Sequence, residues 1–181
     1  MVTRVIVVNL FGVPGAGKST GAAYIFSQLK MKGINAELIT EFAKDKAWEN
    51  NTEAIKNQAY LFGKQSYRMS RCREKVDVLV TDSPLPLSIL YNQDEVLGED
   101  FNRTVMNVFR SYTNLNYLLL RDKPYNPAGR FQTEEESDAL SKPLIDLLTS
   151  RNIDFEARYG CASEYDKIVK IVLDTLKVSN K

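Results

Sequence analysis

Residues Gly12-Val13-Pro14-Gly15-Ala16-Gly17-Lys18-Ser19-Thr20 follow a β-branched apolar run, Val5 to Leu10, and precede a helical pattern. They fit G-x-x-x-x-G-K-[ST] in full, in the strand–turn–helix setting that this pattern needs. Glycines let the backbone curl until successive N–H groups point inward at an anion. The helix that follows adds the positive end of its dipole. Lys18 supplies a point charge for the β- and γ-phosphates of a nucleoside triphosphate, and Ser19 offers a hydroxyl to Mg²⁺. A glycine-rich turn without a ligand has no use for Lys-Ser-Thr at the helix start. All nine residues are therefore expected to cradle the phosphates of ATP or GTP, and the fold must carry a strand into this loop.

The rest of the chain supports that architecture. Short apolar runs recur at residues 36–40, 76–81 and 117–120, with a weaker one at 155–158. Helical patterns separate them, which argues a parallel sheet covered on both faces. A helix is expected from Lys18 to Lys32, stopped by Gly33. A long one, polar on one side, is expected over residues 52–75. Thr133-Glu134-Glu135-Glu136 reads as a capping box, opening a helix that Pro143 kinks or splits in two. Ser163 to Lys177 closes the chain. With 181 residues, 44% hydrophobic and 26% charged, this is the size and composition of one domain spanning 1–181.

Charge and rare residues limit the chemistry. There are 24 basic and 23 acidic residues, a net charge of +1, so no global field holds nucleic acid or a membrane surface. Cys72 and Cys161 lie in no metal-ligand spacing and read as thiols of a reduced compartment. No apolar run approaches the length of a membrane span, and the run after Arg4 is too short and too β-branched for a signal peptide. A cytoplasmic protein is expected. Histidine is absent altogether. Proton transfer must then fall to carboxylates, and charge stabilisation to lysine, arginine and backbone amides. Asp82 ends the run Val78-Leu79-Val80-Thr81, the placement of a Walker-B carboxylate that holds Mg²⁺ with Ser19. A turn-starting aspartate before Pro84 is the plainer alternative.

The length is too short for an AAA+ module with a helical lid domain, and neither a Leu-Ser-Gly-Gly-Gln nor an Asn-Lys-x-Asp signature occurs. What remains is the small kinase class. The loop, Glu41-Phe42-Ala43-Lys44-Asp45, Thr81-Asp82-Ser83 and the basic segment from Arg121 to Arg130 together resemble the nucleoside and nucleotide kinases. More narrowly, they resemble the ribosylnicotinamide kinase domain of bacterial NAD regulators and its virus-encoded relatives. The resemblance implies a P-loop NTPase fold: a three-layer α/β/α domain with a five-stranded parallel sheet and a short lid at about residues 121–133. It implies ATP and Mg²⁺ as cofactors, and phosphoryl transfer to a nucleoside, nucleotide or ribosyl-type molecule. Glu41 matches the glutamate that takes the proton from the attacking sugar hydroxyl, with Asp82 and Asp45 as competing bases. Arg121 and Arg130, and more weakly Lys123, match lid cations that close over the transferring phosphoryl group.

The acceptor is expected between Glu41, residues 42–48 and the helix after Thr52, where Gln58, Tyr60, Phe62, Gln65 and Arg68 could face a ring. Lys64, Arg68, Arg71 and Lys75 fall at i, i+4, i+7 and i+11, a stripe that is solvated surface or tracks a nucleic-acid backbone. That stripe motivates a second reading, a kinase of DNA, RNA or a modified base. A third reading is a non-catalytic ATP-binding regulatory module. A small-molecule acceptor, no membrane, and a monomer or homodimer are the expected associations.

Overall fold

A computed structural model of the protein describes residues 5–126 and 133–179. Five strands, β1 (Ile6–Phe11), β2 (Ala36–Ile39), β3 (Val78–Thr81), β4 (Thr113–Leu120) and β5 (Glu156–Tyr159), form one parallel sheet in the order β2-β3-β1-β4-β5. Along β1, Val5, Val7 and Phe11 enter one core; Ile6, Val8 and Leu10 enter the other. The alternation of a pleated strand thus feeds two apolar layers, one on each face of the sheet. The expected α/β/α sandwich is the observed fold.

On one face lie α1 (Lys18–Met31) and α9 (Ala162–Ser179). On the other lie α4 (Gln58–Ser70), α5 (Leu87–Leu90), α6 (Gly98–Arg110) and α8 (Ser141–Ser150). The short helices α2 (Phe42–Trp48), α3 (Thr52–Lys56) and α7 (Glu134–Ala139) complete the chain order. Helix α1 ends as its sequence indicates. Gly33 sits at φ +78°, its amide bonds to the Lys30 carbonyl, and the Ile34 amide reaches back to Leu29. That pair of bonds satisfies two carbonyls the helix leaves open. The capping box at Thr133 is also present, with Thr133 N–H donating to Glu136 at 2.7 Å and the Glu136 amide donating to Thr133 Oγ1 at 3.1 Å. Pro143 falls in the first turn of α8, so two consecutive helices occur in place of one kinked helix.

Two expectations need correction. The helix expected over residues 52–75 is two helices, broken at Asn57, whose side chain accepts the Tyr60 amide and restarts the chain as α4. Asparagine competes with the helix for its own backbone groups, and an apolar period does not register that competition. The fourth strand begins at Thr113, earlier than its apolar residues suggest. Asn114 and Asn116 hide it. Both accept from Nδ2 of the buried Asn9 on β1, at 2.9 and 3.0 Å, so an asparagine ladder ties the two central strands where an apolar pair would be usual. Helices α2, α5 and α6 went unread among the irregular segments.

Candidate functional site

A cleft of about 880 Å³ opens where the strands end at their carboxyl edge, beside β1 and β3. Ligands bind at such edges of open parallel sheets. Residues Pro14 to Thr20 line it together with Glu41, Asp82, Trp48, Ile55, Gln58, Leu61 and Tyr91.

The loop has the backbone that its glycines permit. Gly12, Gly15 and Gly17 adopt φ +150°, +84° and +93°. At Gly12 a Cβ would also meet the Leu119 carbonyl oxygen at 2.9 Å, so a side chain there is excluded twice over. Lys18 Nζ donates to the carbonyls of Gly12 and Val13, at 2.7 and 3.1 Å, which folds the ammonium across the mouth of the loop. Ser19 and Thr20 line the same wall.

Glu41 follows β2 as the N-cap of α2, and its carboxylate makes no capping bond. Burial pushes its pKa up from the ordinary glutamate value. Lys18 pulls it back, Asp82 pushes it further, and Lys44 and Asp45 act more weakly in opposite senses. Asp82 is raised as well, first by burial, against the pull of Lys18 and of the Asp82 and Glu41 backbone amides. Two carboxylates and one ammonium thus share a poorly solvated centre, the kind of arrangement that marks a reactive site. Asp82 Oδ1 is buried without a hydrogen-bond partner. An acceptor atom in that state suits a hard cation or its water shell. Among the described residues no group of three or more Cys, Asp or Glu side chains could hold a metal by itself. Ser19 and Asp82 therefore fit Mg²⁺ in the usual manner of this ion, one or two protein ligands completed by phosphate oxygens and water.

Other expected residues have different neighbours. Asp45 is ion-paired with Arg68 at 2.5 Å and does not line the cleft among the described residues. Arg68 also donates to the Thr40 carbonyl and lies 5.0 Å from the Phe42 ring centre. It braces α2 against α4. Tyr60 meets Phe42 edge-on, and Phe62 meets Phe101 inside the core. Gln58 and Gln65 do line the cleft. Gln65 Oε1 accepts the Phe42 amide at 3.1 Å, which fixes the orientation of the carboxamide. Its Nε2 is then left buried and without a partner. The basic stripe does not survive as a helix face. Helix α4 ends at Ser70, Arg68 is folded onto Asp45, and Lys75 lies beyond the helix.

Arg121 occupies the outer side of the phosphate loop. It donates to the Pro14 carbonyl and to Ser137, pairs with Glu134 at 3.1 Å and Asp138 at 2.9 Å, and lies over the Tyr125 ring. Asp122, Lys123, Pro124 and Asn126 reach the cleft wall. Arg130 lies outside the described residues, so the lid expected at 121–133 is described only at its two ends. Trp48, within the segment 42–48 expected beside the acceptor, does line the cleft, whereas sequence reasoning missed Tyr91 and the junction at Gly160. Tyr91 is pushed up to about 12 by burial and by the charge of Glu41. Only the glycine following an apolar run could have pointed to Gly160. Cys72 and Cys161 are free thiols, and no described helix is long and apolar enough to cross a membrane.

A family model described as an AAA domain matches residues 7–157. The length argument above therefore speaks against an AAA+ module with its helical lid domain, and not against an AAA domain. No curated protein matches the sequence. Among solved structures, the chain is similar to a deoxyadenosine kinase from M. mycoides with bound dCTP. The TM-score is 0.56 at 15% identity, covering 95% of this chain and 99% of that one. It is similar also to a thymidylate kinase from Ehrlichia chaffeensis, with a TM-score of 0.61 at 13% identity, covering 95% and 98%. The fold of this chain is that of these kinases.

Proposed function

This chain belongs to the AAA domain family, and from that premise we propose that it is a kinase, transferring the γ-phosphoryl group of ATP to a nucleoside, nucleotide or ribosyl-type small molecule. One observation carries the reading. The phosphate loop, Glu41 and Asp82 line a single cleft of about 880 Å³ that is also lined by apolar and amide side chains, which offer a second compartment beside the phosphate site. A protein that only binds or slowly hydrolyses ATP has no need of that second compartment.

In this reading the loop amides and Lys18 hold the triphosphate, and Ser19 and Asp82 hold Mg²⁺. When bound, the metal neutralises charge on the transferring phosphoryl oxygens. Glu41 accepts the proton of the attacking hydroxyl. Its raised pKa improves it as a base, because a carboxylate at its ordinary value holds a proton too weakly. Lys123, which lines the cleft at the described start of the lid, supplies a cation for the reacting group. Arg121, paired with Glu134 and Asp138, braces the loop from its outer side. Arg130 is assigned a lid role from the sequence alone. Phosphoryl transfer depends mainly on positioning and charge, so these roles account for most of the rate.

The kinds of kinase named by the similar structures, for deoxyadenosine and for thymidylate, support a nucleoside or nucleotide acceptor. Gln65 Nε2, fixed and unpartnered, suits a carbonyl or ring nitrogen of its base. The test is incubation of the purified protein with Mg·ATP and a panel of nucleosides, nucleotides and ribosyl compounds, read by mass spectrometry. A product heavier by one phosphoryl group, formed with equal release of ADP, is expected. ATP binding without transfer to any member of the panel would refute the proposal in favour of a regulatory module.

A further inference from the structure

Tyr165 lies in the first turn of α9, remote in sequence from the phosphate loop, yet its hydroxyl is 3.0 Å from the Gly17 carbonyl oxygen. The side chain is 2% exposed. The same carbonyl accepts the Gly21 amide at 2.7 Å, the first hydrogen bond of α1. Both of its lone pairs are thus used, one by the helix and one by the phenol.

The geometry of the peptide unit gives this contact a consequence. In a trans peptide the N–H points opposite to the C=O. The carbonyl of Gly17 shares its plane with the N–H of Lys18. A donor that fastens the oxygen on the α9 side therefore turns the Lys18 N–H to the other side, toward the cleft that Gly17 and Lys18 line. Gly17 cannot fix this plane itself. It has no side chain to brace it, and its φ of +93° is one that glycine adopts without steric cost.

The surroundings are shaped to this contact. A Cβ at Gly21 would come 2.7 Å from the Tyr165 ring, and one at Gly17 would come 2.6 Å from its hydroxyl. At the adjoining Gly160, a Cβ would approach the Ala16 carbonyl oxygen to 2.2 Å. The β5–α9 junction is thus seated directly on the loop backbone at Ala16 and Gly17. Burial holds the phenol up at about 12, with smaller contributions from Cys161 and Asp122, so it stays a protonated donor at neutral pH.

We propose that Tyr165 is a positioning residue for the donor phosphates: its hydroxyl locks the Gly17–Lys18 peptide so that the Lys18 amide and side chain meet the triphosphate in one orientation. The inference rests on the nucleotide-binding half of the function proposed above. Tyr165 touches no substrate, and it acts from the sheet face opposite α4 and the acceptor compartment.

Tyr165→Phe deletes the hydrogen bond and keeps the ring. The Kd for Mg·ATP is expected to rise about three- to tenfold, and the KM for ATP to rise with it while the acceptor KM stays constant. Inorganic tripolyphosphate, competing for the same site, should weaken by the same factor, because the effect is on phosphate alone. Tyr24→Phe is the control. It removes a 2.8 Å hydrogen bond to Asp166 between the same two helices, away from the loop, and should leave ATP affinity unchanged. Equal ATP affinity in wild type and Tyr165→Phe would overturn the inference. So would a loss seen for ATP but not for tripolyphosphate, or an equal loss in Tyr24→Phe. Wild-type protein that binds no Mg·ATP overturns the nucleotide reading, and this inference with it.

Discussion

Replacing Glu41 by Gln should separate catalysis from stability in opposite directions. The substitution keeps the shape of the side chain and removes one charge and one proton acceptor. No capping bond is lost, because the Glu41 carboxylate makes none. Burial and the neighbouring Asp82 raise its pKa above 4.5, and Lys18 and Lys44 offset only part of this. A carboxyl group whose folded pKa exceeds its unfolded pKa favours folding when protonated. That favour declines as pH rises from the unfolded value through the folded one. At neutral pH the ionised Glu41 is therefore a burden on the fold, and Glu41→Gln should hold or raise the Tm. Catalysis should suffer instead. Loss of a positioned base costs about 10²- to 10⁴-fold, equivalent to about 3–5 kcal/mol of barrier. Steady-state turnover by coupled ADP release, beside thermal unfolding of both proteins, measures the two effects. The KM for ATP should stay near the parent value, since Glu41 does not contact the donor in this scheme. A kcat within a few-fold of wild type would show that the proton goes elsewhere. A Tm several degrees lower would refute the account of Glu41 as an unfavourably buried charge.

Three further outcomes are expected. Lys18→Ala removes the ammonium held over the Gly12 and Val13 carbonyls, and calorimetry should show Mg·ATP binding about 10- to 100-fold weaker; retained affinity would remove the phosphate-loop assignment. Gln65→Glu keeps an oxygen for the Phe42 amide and deletes the unpartnered donor, so the acceptor KM should rise about tenfold with the ATP KM unchanged; an unchanged acceptor KM would show that Gln65 does not read the acceptor. Glu99, held down at about 2 by its hydrogen bonds to Arg151 and Asn102, supports folding above the ordinary carboxyl range and loses that effect as pH falls toward 2. Glu99→Gln should therefore lower the Tm slightly at pH 7 and not at all near pH 2, and a difference independent of pH would refute the pairing.

Several features were legible because their chemistry is local. The phosphate loop needs φ values that glycine provides and a cation at its helix start, and both are written within nine residues. The capping box at Thr133 and the stop at Gly33 are likewise exchanges between near neighbours. Asp82 could be placed because an apolar strand led into it. Residues whose partners lie far along the chain were misread or missed. Arg68 looked like part of a basic stripe until Asp45, across the gap between α4 and α2, claimed it. Asn9 interrupts the apolar run of β1, and only the fold shows it to be the centre of an asparagine ladder to β4. Asn57 ended a helix that the hydrophobic period continued through.

By itself, then, the sequence of this protein determined that a strand delivers a phosphate-binding loop to a helix. The missing histidine restricted any side-chain proton transfer near neutral pH to carboxylates. Only the tertiary structure decided which carboxylates are poised. Asp45 is neutralised by Arg68, while Glu41 and Asp82 are buried beside Lys18 in one cleft. It also brought Tyr165 to the Gly17 carbonyl and Arg121 to the back of the loop. The physical reason is range. Backbone conformation and capping are settled by residues a few positions apart, but desolvation, ion pairing and the orientation of a peptide plane depend on which distant side chains the sheet order brings into contact.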